Sequence, residues 1–137
     1  MAATIQIFKL MSNLRKYIDT EYASIWLERG IINIIWKGNR ISLEMAQEAV
    51  QHRLLLSQKK EYPLYVDIRN IVTVDAKTRN FLRGDVGTSQ ASAAALHVNN
   101  PVTKLIGKVF ITIDTPSRPT ALFTDKTKAL EWLEGFK

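Results

Sequence analysis

The feature that most constrains this chain is the regular alternation of helix-like and strand-like stretches that begins after residue 41. Ahead of it, residues 22–28 and 31–36 are rich in β-branched and aromatic side chains and flank Arg29-Gly30, a pair that suits a tight hairpin turn. Strands that alternate with helices pair in parallel through crossover connections. The sequence therefore predicts an α/β fold with a mixed, largely parallel sheet, an N-terminal antiparallel hairpin and about four helices.

Composition limits the classes of function. The 137 residues fit one domain, which we predict over residues 1–137, and the 46% hydrophobic content is ordinary for a globular chain. There is no cysteine, which excludes disulfides and thiolate chemistry. We find no signal-peptide pattern, and no transmembrane segment of roughly 20 apolar residues. The expected location is therefore the cytoplasm.

The net charge of +6 raises the question of nucleic-acid binding. Basic residues are spread from Lys9 to Lys137 with acidic residues among them. Nucleic-acid binders instead cluster their basic residues in a stripe, often interleaved with aromatics or glycines. Nucleic acid is therefore not an expected partner.

Residues 1–21 are predicted to form an N-terminal arm ahead of the hairpin. Apolar residues in the arm recur at helical spacing, although Ile5 and Ile7 alternate with polar neighbours as in a short strand. We interpret the arm as packed on the domain or on a second subunit. A helix that contacts a membrane surface is the alternative, because Arg15 and Lys16 add positive charge.

Several side chains that could suggest a site receive structural interpretations instead. Trp26 and Trp36 resemble an aromatic ligand platform, but aromatic residues on strands are far more often part of the core. His52 and Arg53 lie beside the apolar stripe of the helix that follows Ser42. Because His52 has no predicted acidic or histidine neighbour on its helix face, we assign it to the surface or the core boundary.

The segment YPLYVDIRNIVTVDAKTRNFL, residues 62–82, brings charged side chains to the end of a strand and the start of a helix. Ligands of open α/β sheets bind outside the carboxyl ends of the strands, and a helix start offers free N–H groups to anions. The alternative is a solvated surface, on which Asp67, Asp75 and Asp85 neutralise the basic residues. The predicted ligand- or anion-binding residues are Arg69, Lys77, Thr78 and Arg79.

Catalytic patterns are missing from the sequence. It contains no Gly-rich phosphate loop, no G-x-S-x-G nucleophile elbow and no H-E-x-x-H zinc motif. We therefore predict that the protein is not an enzyme and has no catalytic residue, metal ligand or cofactor. The alternative is acid–base activity around His97 and Asp67, which requires the two side chains to lie within hydrogen-bond distance.

The order of these elements, together with the stretches ASIWLERGIINIIW, PLYVDIRNI and ALFTDKTKALEWL, resembles STAS domains and small bacterial SpoIIAA-like proteins. That group is related in fold to lipid-binding domains of the CRAL-TRIO type. The resemblance covers residues 22–136. It implies a STAS/SpoIIAA-like fold and a non-enzymatic regulatory or protein-interaction module. The implied partner is another protein or a second copy of the chain in a homodimer.

The resemblance also bears on a regulatory switch. Phosphorylated members of the family carry an Asp-Ser-Ser-Gly turn at a helix start, and its second serine takes the phosphate. By similarity, Asp75 matches the aspartate, Ala76 the first serine, Lys77 the phosphorylated serine and Thr78 the glycine. The phosphorylatable serine is therefore lacking, and Thr78 is at best a displaced acceptor.

The relation to lipid-binding domains implies an alternative function, the binding of a small apolar, amphipathic or anionic ligand in a pocket beneath the helices. The strongest helical periodicity covers residues 102–113, and the proline-containing loop DTPSRP follows at residues 114–119. These two segments would form the lid of the pocket. A ligand binder should enclose a sizeable pocket, whereas an interaction module should expose an apolar patch over a filled core.

Overall fold

The computed structural model describes residues 17–137, which form eight strands and four α-helices. Most of the predicted N-terminal arm lies outside the described residues, and the single domain over residues 1–137 stays a prediction. A π-helical turn, Phe110–Asp114, directly continues the third helix. In chain order the elements are β1 Tyr17–Asp19, β2 Ala23–Glu28, β3 Ile31–Trp36, β4 Arg40–Ile41, α1 Leu43–Ser57, β5 Tyr62–Asp67, β6 Thr73–Val74, α2 Ala76–Arg83, β7 Ala91–His97, α3 Pro101–Val109, β8 Thr120–Phe123 and α4 Lys126–Glu134.

Six of the strands form one sheet in the order β1-β2-β3-β5-β7-β8. Strands β1, β2 and β3 pair antiparallel, and every later pair in this sheet is parallel. The hairpin turns at Arg29 and Gly30, with φ angles of 51° and 76°, because the favoured two-residue turn needs a positive φ at both positions. Strands β4 and β6 form a separate parallel pair. The prediction of a mixed, largely parallel sheet with an N-terminal hairpin is confirmed.

Helices cover both faces of the large sheet. Successive strand residues point to opposite faces, so Ala94 and Leu64 contribute to the core beneath α1, while Ala95 and Tyr65 contribute to a second core. Helix α4 covers that second core and buries Leu133 completely. The sheet therefore separates two cores, one beneath α1 and one beneath α4.

The two tryptophans occupy different environments. Trp36 is buried in the core beneath α1, as predicted. Trp26 is only half-buried, and its ring stacks on Tyr17 of the edge strand at 5.6 Å between centroids. Its indole N–H donates to a carboxylate oxygen of Glu28. The core assignment of Trp26 is therefore wrong, because its neighbour is the terminal strand of the sheet.

Helix α3 begins where the sequence indicates but packs differently. Asn100 and Thr103 form a reciprocal capping box at its N-terminus, and Pro101 occupies the first turn. The helix faces the sheet through small residues, including Gly107, whose missing Cβ leaves room for the Leu122 side chain. Much of the apolar stripe predicted for residues 102–113 therefore points to solvent.

Candidate functional site

An apolar cavity of about 120 Å³ lies between the sheet and helices α1, α2 and α3. The sheet contributes Leu64 and Ala94 to its walls, α1 contributes Val50, and α3 contributes Ile106. The alternation of strand residues brings these side chains to one face, and the small Ala94 leaves the space unfilled. The cavity lies beneath the helices, where the alternative function places its pocket.

The segments predicted to form a lid contribute to the same cavity. Phe110, the first residue of the π-helical turn, and Pro116 of the following loop both line it. The turn ends at Thr115, which adopts a left-handed conformation with φ 48°.

Three arginines also line the cavity, and they differ in their partners. Arg79 forms a salt bridge through Nε to Oδ2 of Asp114 at 2.8 Å and donates through Nη1 to the carbonyl oxygen of Val74. Arg118 is half-buried and donates through Nε to the carbonyl oxygen of Ala91. Arg79 is thus neutralised by a carboxylate.

The third arginine, Arg53 of α1, is 1% exposed. Its Nη1 donates to the carbonyl oxygen of Ser89 at 2.8 Å, and its Nη2 donates to that of Gly87 at 3.0 Å. Among residues 17–137, no carboxylate lies within 4.0 Å of it. Burial lowers the pKa of Arg53 to about 10, so the guanidinium still carries its charge at neutral pH.

Sequence reasoning missed Arg53, although a signal was available. Residue 53 follows the buried Ala49 and Val50 by four and three positions, which is the spacing of neighbours on one helix face. The sequence-based interpretation places Arg53 beside the apolar stripe of the helix. The structure places it within the stripe.

The structure does not bring the predicted anion-binding residues to one point. The carboxylate of Asp67 accepts from Arg69 Nε at 3.0 Å and from Arg69 Nη2 at 2.8 Å. Arg79 instead pairs with Asp114, a partner 35 positions away that replaces the predicted neighbouring aspartates. Lys77 is exposed at the start of α2. Arg69 and Arg79, the two arginines of the predicted anion site, are therefore each already paired with a carboxylate.

The residues predicted to match the switch turn of phosphorylated STAS proteins form a helix cap. Asp75 Oδ1 accepts from both the backbone N–H and the hydroxyl of Thr78, at 2.8 and 2.7 Å. The hydrogen bonds from Thr78 lower the pKa of Asp75, which therefore stays ionised. Ala76 and Lys77 are exposed, whereas Thr78 is fully buried. A kinase would reach the Thr78 hydroxyl only after the first turn of α2 had opened.

A buried polar cluster lies on the α4 side, where β5 and β7 end. Asp67 and His97 are register partners, but the His97 Nδ1 atom hydrogen-bonds to the hydroxyl of Tyr65, and the Asp67 carboxylate bonds to Arg69. Burial lowers the pKa of His97, and the positive charge of Arg69 adds to this effect. Burial also raises the pKa of Tyr65 to about 12.

The hydrogen bond that links β5 to β7 in this cluster joins Tyr65 to His97, whereas the acid–base alternative requires one between Asp67 and His97. Within the described part of the chain, no side-chain hydrogen bond joins His97 to Asp67: His97 bonds to Tyr65, and Asp67 accepts from the side chain and the backbone N–H of Arg69. Burial raises the pKa of Asp67, but the hydrogen bonds and charge of Arg69 outweigh this and keep it below its usual value. The imidazole of His97 and the carboxylate of Asp67 are thus each hydrogen-bonded to a neighbouring group.

His52 is half-buried, in agreement with its assignment to the core boundary. The statement that it has no acidic neighbour is wrong, because its Nδ1 lies 4.0 Å from Oε1 of Glu48, one turn earlier. Across residues 17–137, no group of three or more His, Asp or Glu side chains is arranged to hold a metal ion. In the same part of the chain, none of the helices combines the length and apolar character needed to cross a membrane.

Comparison with known proteins supports the fold. A family model described as a domain of unknown function, DUF7793, matches residues 25–137. The chain is similar to an uncharacterised DUF3478-family protein from Shewanella loihica PV-4, described as having a SpoIIAA-like fold. That similarity has 14% identity and a TM-score of 0.57, and it covers 85% of this chain and 98% of the other. The predicted STAS/SpoIIAA-like fold is confirmed.

A second solved structure, a protein of unknown function from Arthrobacter sp. FB24, has 27% identity to this chain. The match covers 80% of this chain and 97% of the other, with a TM-score of 0.30. A search of curated proteins found no match.

Proposed function

This chain belongs to the DUF7793 family, and from that premise we propose that it is a non-enzymatic, STAS-like binding module for a small apolar or amphipathic ligand. The observation that carries the proposal is the apolar cavity of about 120 Å³ beneath α1, α2 and α3. An engineered apolar cavity of about 150 Å³ binds benzene, so the ligand is a compact ring or a short aliphatic chain.

The energetics favour occupation of the cavity. An unfilled cavity costs about 24 cal/mol per Å³, which amounts to about 3 kcal/mol for this volume. A ligand that fills it restores the missing dispersion contacts of the lining side chains. The π-helical turn at Phe110 and the loop at Pro116 border the cavity.

Toluene is a suitable probe because it is apolar and compact. We expect toluene to raise the melting temperature of the wild-type protein, since a ligand present at about 100 times its Kd stabilises by about 2.7 kcal/mol. The variant Ala94→Leu should lose this response, because the new side chain fills the cavity. Ala76→Leu is the matched control, since Ala76 is exposed.

Equal toluene responses in the wild type, Ala94→Leu and Ala76→Leu would show that toluene binds elsewhere. The proposal would also fail if toluene left the melting temperature of the wild type unchanged. Differential scanning calorimetry with increasing toluene concentration measures both outcomes.

A second candidate function is protein interaction, and a separate observation favours it. Leu105 and Ile113, on α3 and the π-helical turn, are 63% and 72% exposed, and Val102 is exposed beside them. We call these three residues the outer α3 surface. Exposed apolar patches of this kind mark interaction sites on soluble proteins. The partner is another protein, and a second copy of the chain is the partner that purified protein can test.

Sedimentation equilibrium tests the homodimer directly. The wild type should self-associate, and Leu105→Glu should shift it to monomer by placing a charge in the interface. Leu55→Glu is the matched control, because Leu55 is 70% exposed on α1, outside the outer α3 surface. A wild type that stays monomeric at all concentrations would contradict the homodimer.

A further inference from the structure

We propose that the ligand of the cavity carries a carboxylate, which binds the guanidinium of Arg53. The inference rests on the proposed function, because it names the chemical class of the ligand for the same cavity. It follows from the buried positive charge of Arg53, which has no counter-ion among residues 17–137.

The first step is the environment of the charge. Arg53 is 1% exposed and lines a cavity whose other walls are mainly aliphatic and aromatic. Burying a charge costs several kcal/mol unless an opposite charge and hydrogen bonds compensate it. Carbonyl oxygens of Ser89 and Gly87 give Arg53 hydrogen bonds, but they supply no net negative charge.

The second step is the donor capacity of the side chain. A guanidinium has five N–H groups, and within residues 17–137 two of them find acceptors. Arginine binds the two oxygens of a carboxylate in a bidentate manner. A ligand carboxylate would therefore satisfy both the charge and the unused donors of Arg53.

The third step is the charge balance of the cavity walls. Arg79 has a carboxylate partner in Asp114, whereas for Arg53 and Arg118 no carboxylate of the described residues lies within 4.0 Å. Of these two, Arg53 is fully buried, whereas Arg118 is half-buried. An apolar body with one carboxylate complements both the walls and the charge, which a neutral hydrocarbon does not.

The test compares ligands of nearly identical shape. Benzoate and benzamide differ in charge, and toluene carries no polar group. By isothermal titration calorimetry, the wild type should bind benzoate at least about tenfold more tightly than benzamide, because hydrogen bonds between charged groups are the stronger ones. In Arg53→Gln this advantage should disappear while toluene still binds. Arg83→Gln, on α2 and outside the cavity lining, should keep it.

The outcomes separate the two proposals. Equal affinities for benzoate and benzamide, with toluene bound, would overturn the carboxylate and leave the proposed function standing. Absence of both toluene and benzoate binding to the wild type would overturn both. The wild-type comparison needs no variant, so it tests the carboxylate even if Arg53→Gln does not fold, and a preference for benzoate that persists in Arg53→Gln would overturn the role of Arg53.

Discussion

Replacing Ala94 by leucine should stabilise the protein, because the added carbon atoms enter the cavity. Burying one aliphatic carbon contributes about 0.8 kcal/mol, so the three added carbons contribute about 2.4 kcal/mol. Fixing the rotamer of the leucine side chain costs about 0.5–1 kcal/mol. The free energy of unfolding should therefore rise by about 1.5 kcal/mol.

This gain corresponds to a measurable change in melting temperature. An unfolding entropy of about 2.1 cal/mol/K per residue gives roughly 0.29 kcal/mol/K for 137 residues. The melting temperature of Ala94→Leu should then lie about 5 °C above that of the wild type. Differential scanning calorimetry without added ligand measures the difference.

The neighbouring Ala95 provides the control. It is fully buried on the opposite face of β7, against Ala129 and Leu133 of α4. A leucine there has no free volume to occupy, and overpacking costs about 1–3 kcal/mol, so its melting temperature should fall. If Ala94→Leu lowered the melting temperature as much as Ala95→Leu, the cavity would not exist in solution and the reasoning would be refuted.

Three further outcomes are expected. Because burial holds the pKa of His97 below its unfolded value of about 6.5, the unfolded chain binds the proton more readily, and stability falls as the pH drops below about 6.5. Urea unfolding across this range should show a weaker pH dependence in His97→Gln, and an unchanged dependence would contradict the assignment. The anion site at the start of α2 stays a prediction: Lys77→Glu should abolish binding of inorganic phosphate in NMR titrations, and unchanged affinity would show it to be wrong. Gly87→Ala should destabilise by about 1–3 kcal/mol in urea unfolding, because a Cβ would overlap the backbone of Leu82; wild-type stability would argue against that packing.

Features that depend on neighbouring residues could be predicted from the sequence. The turn at Arg29-Gly30 and the caps at Asp75 and Asn100 each join groups at most three residues apart. The period of apolar residues then places strands and helices in order. Because alternating strands and helices allow few arrangements, this local information was enough to predict the sheet.

Features that depend on distant residues could not be predicted in the same way. The ion pair of Arg79 with Asp114 joins residues 35 apart, and no local pattern selects that aspartate. Burial of Arg53 depends on carbonyl oxygens of a loop more than 30 residues later. The exposed stripe of α3 follows from the close contact of Gly107 with Leu122, which the helical period alone does not reveal.

Strand β8 has a consequence for how copies of the chain can associate. It is one edge of the large sheet, it is four residues long, and Pro119 directly precedes it. Proline has no backbone N–H, so this edge offers few groups to a strand of another molecule. Growth of the sheet from chain to chain is therefore disfavoured at β8. Association through side chains, as on the outer α3 surface, would instead give closed pairs of limited size.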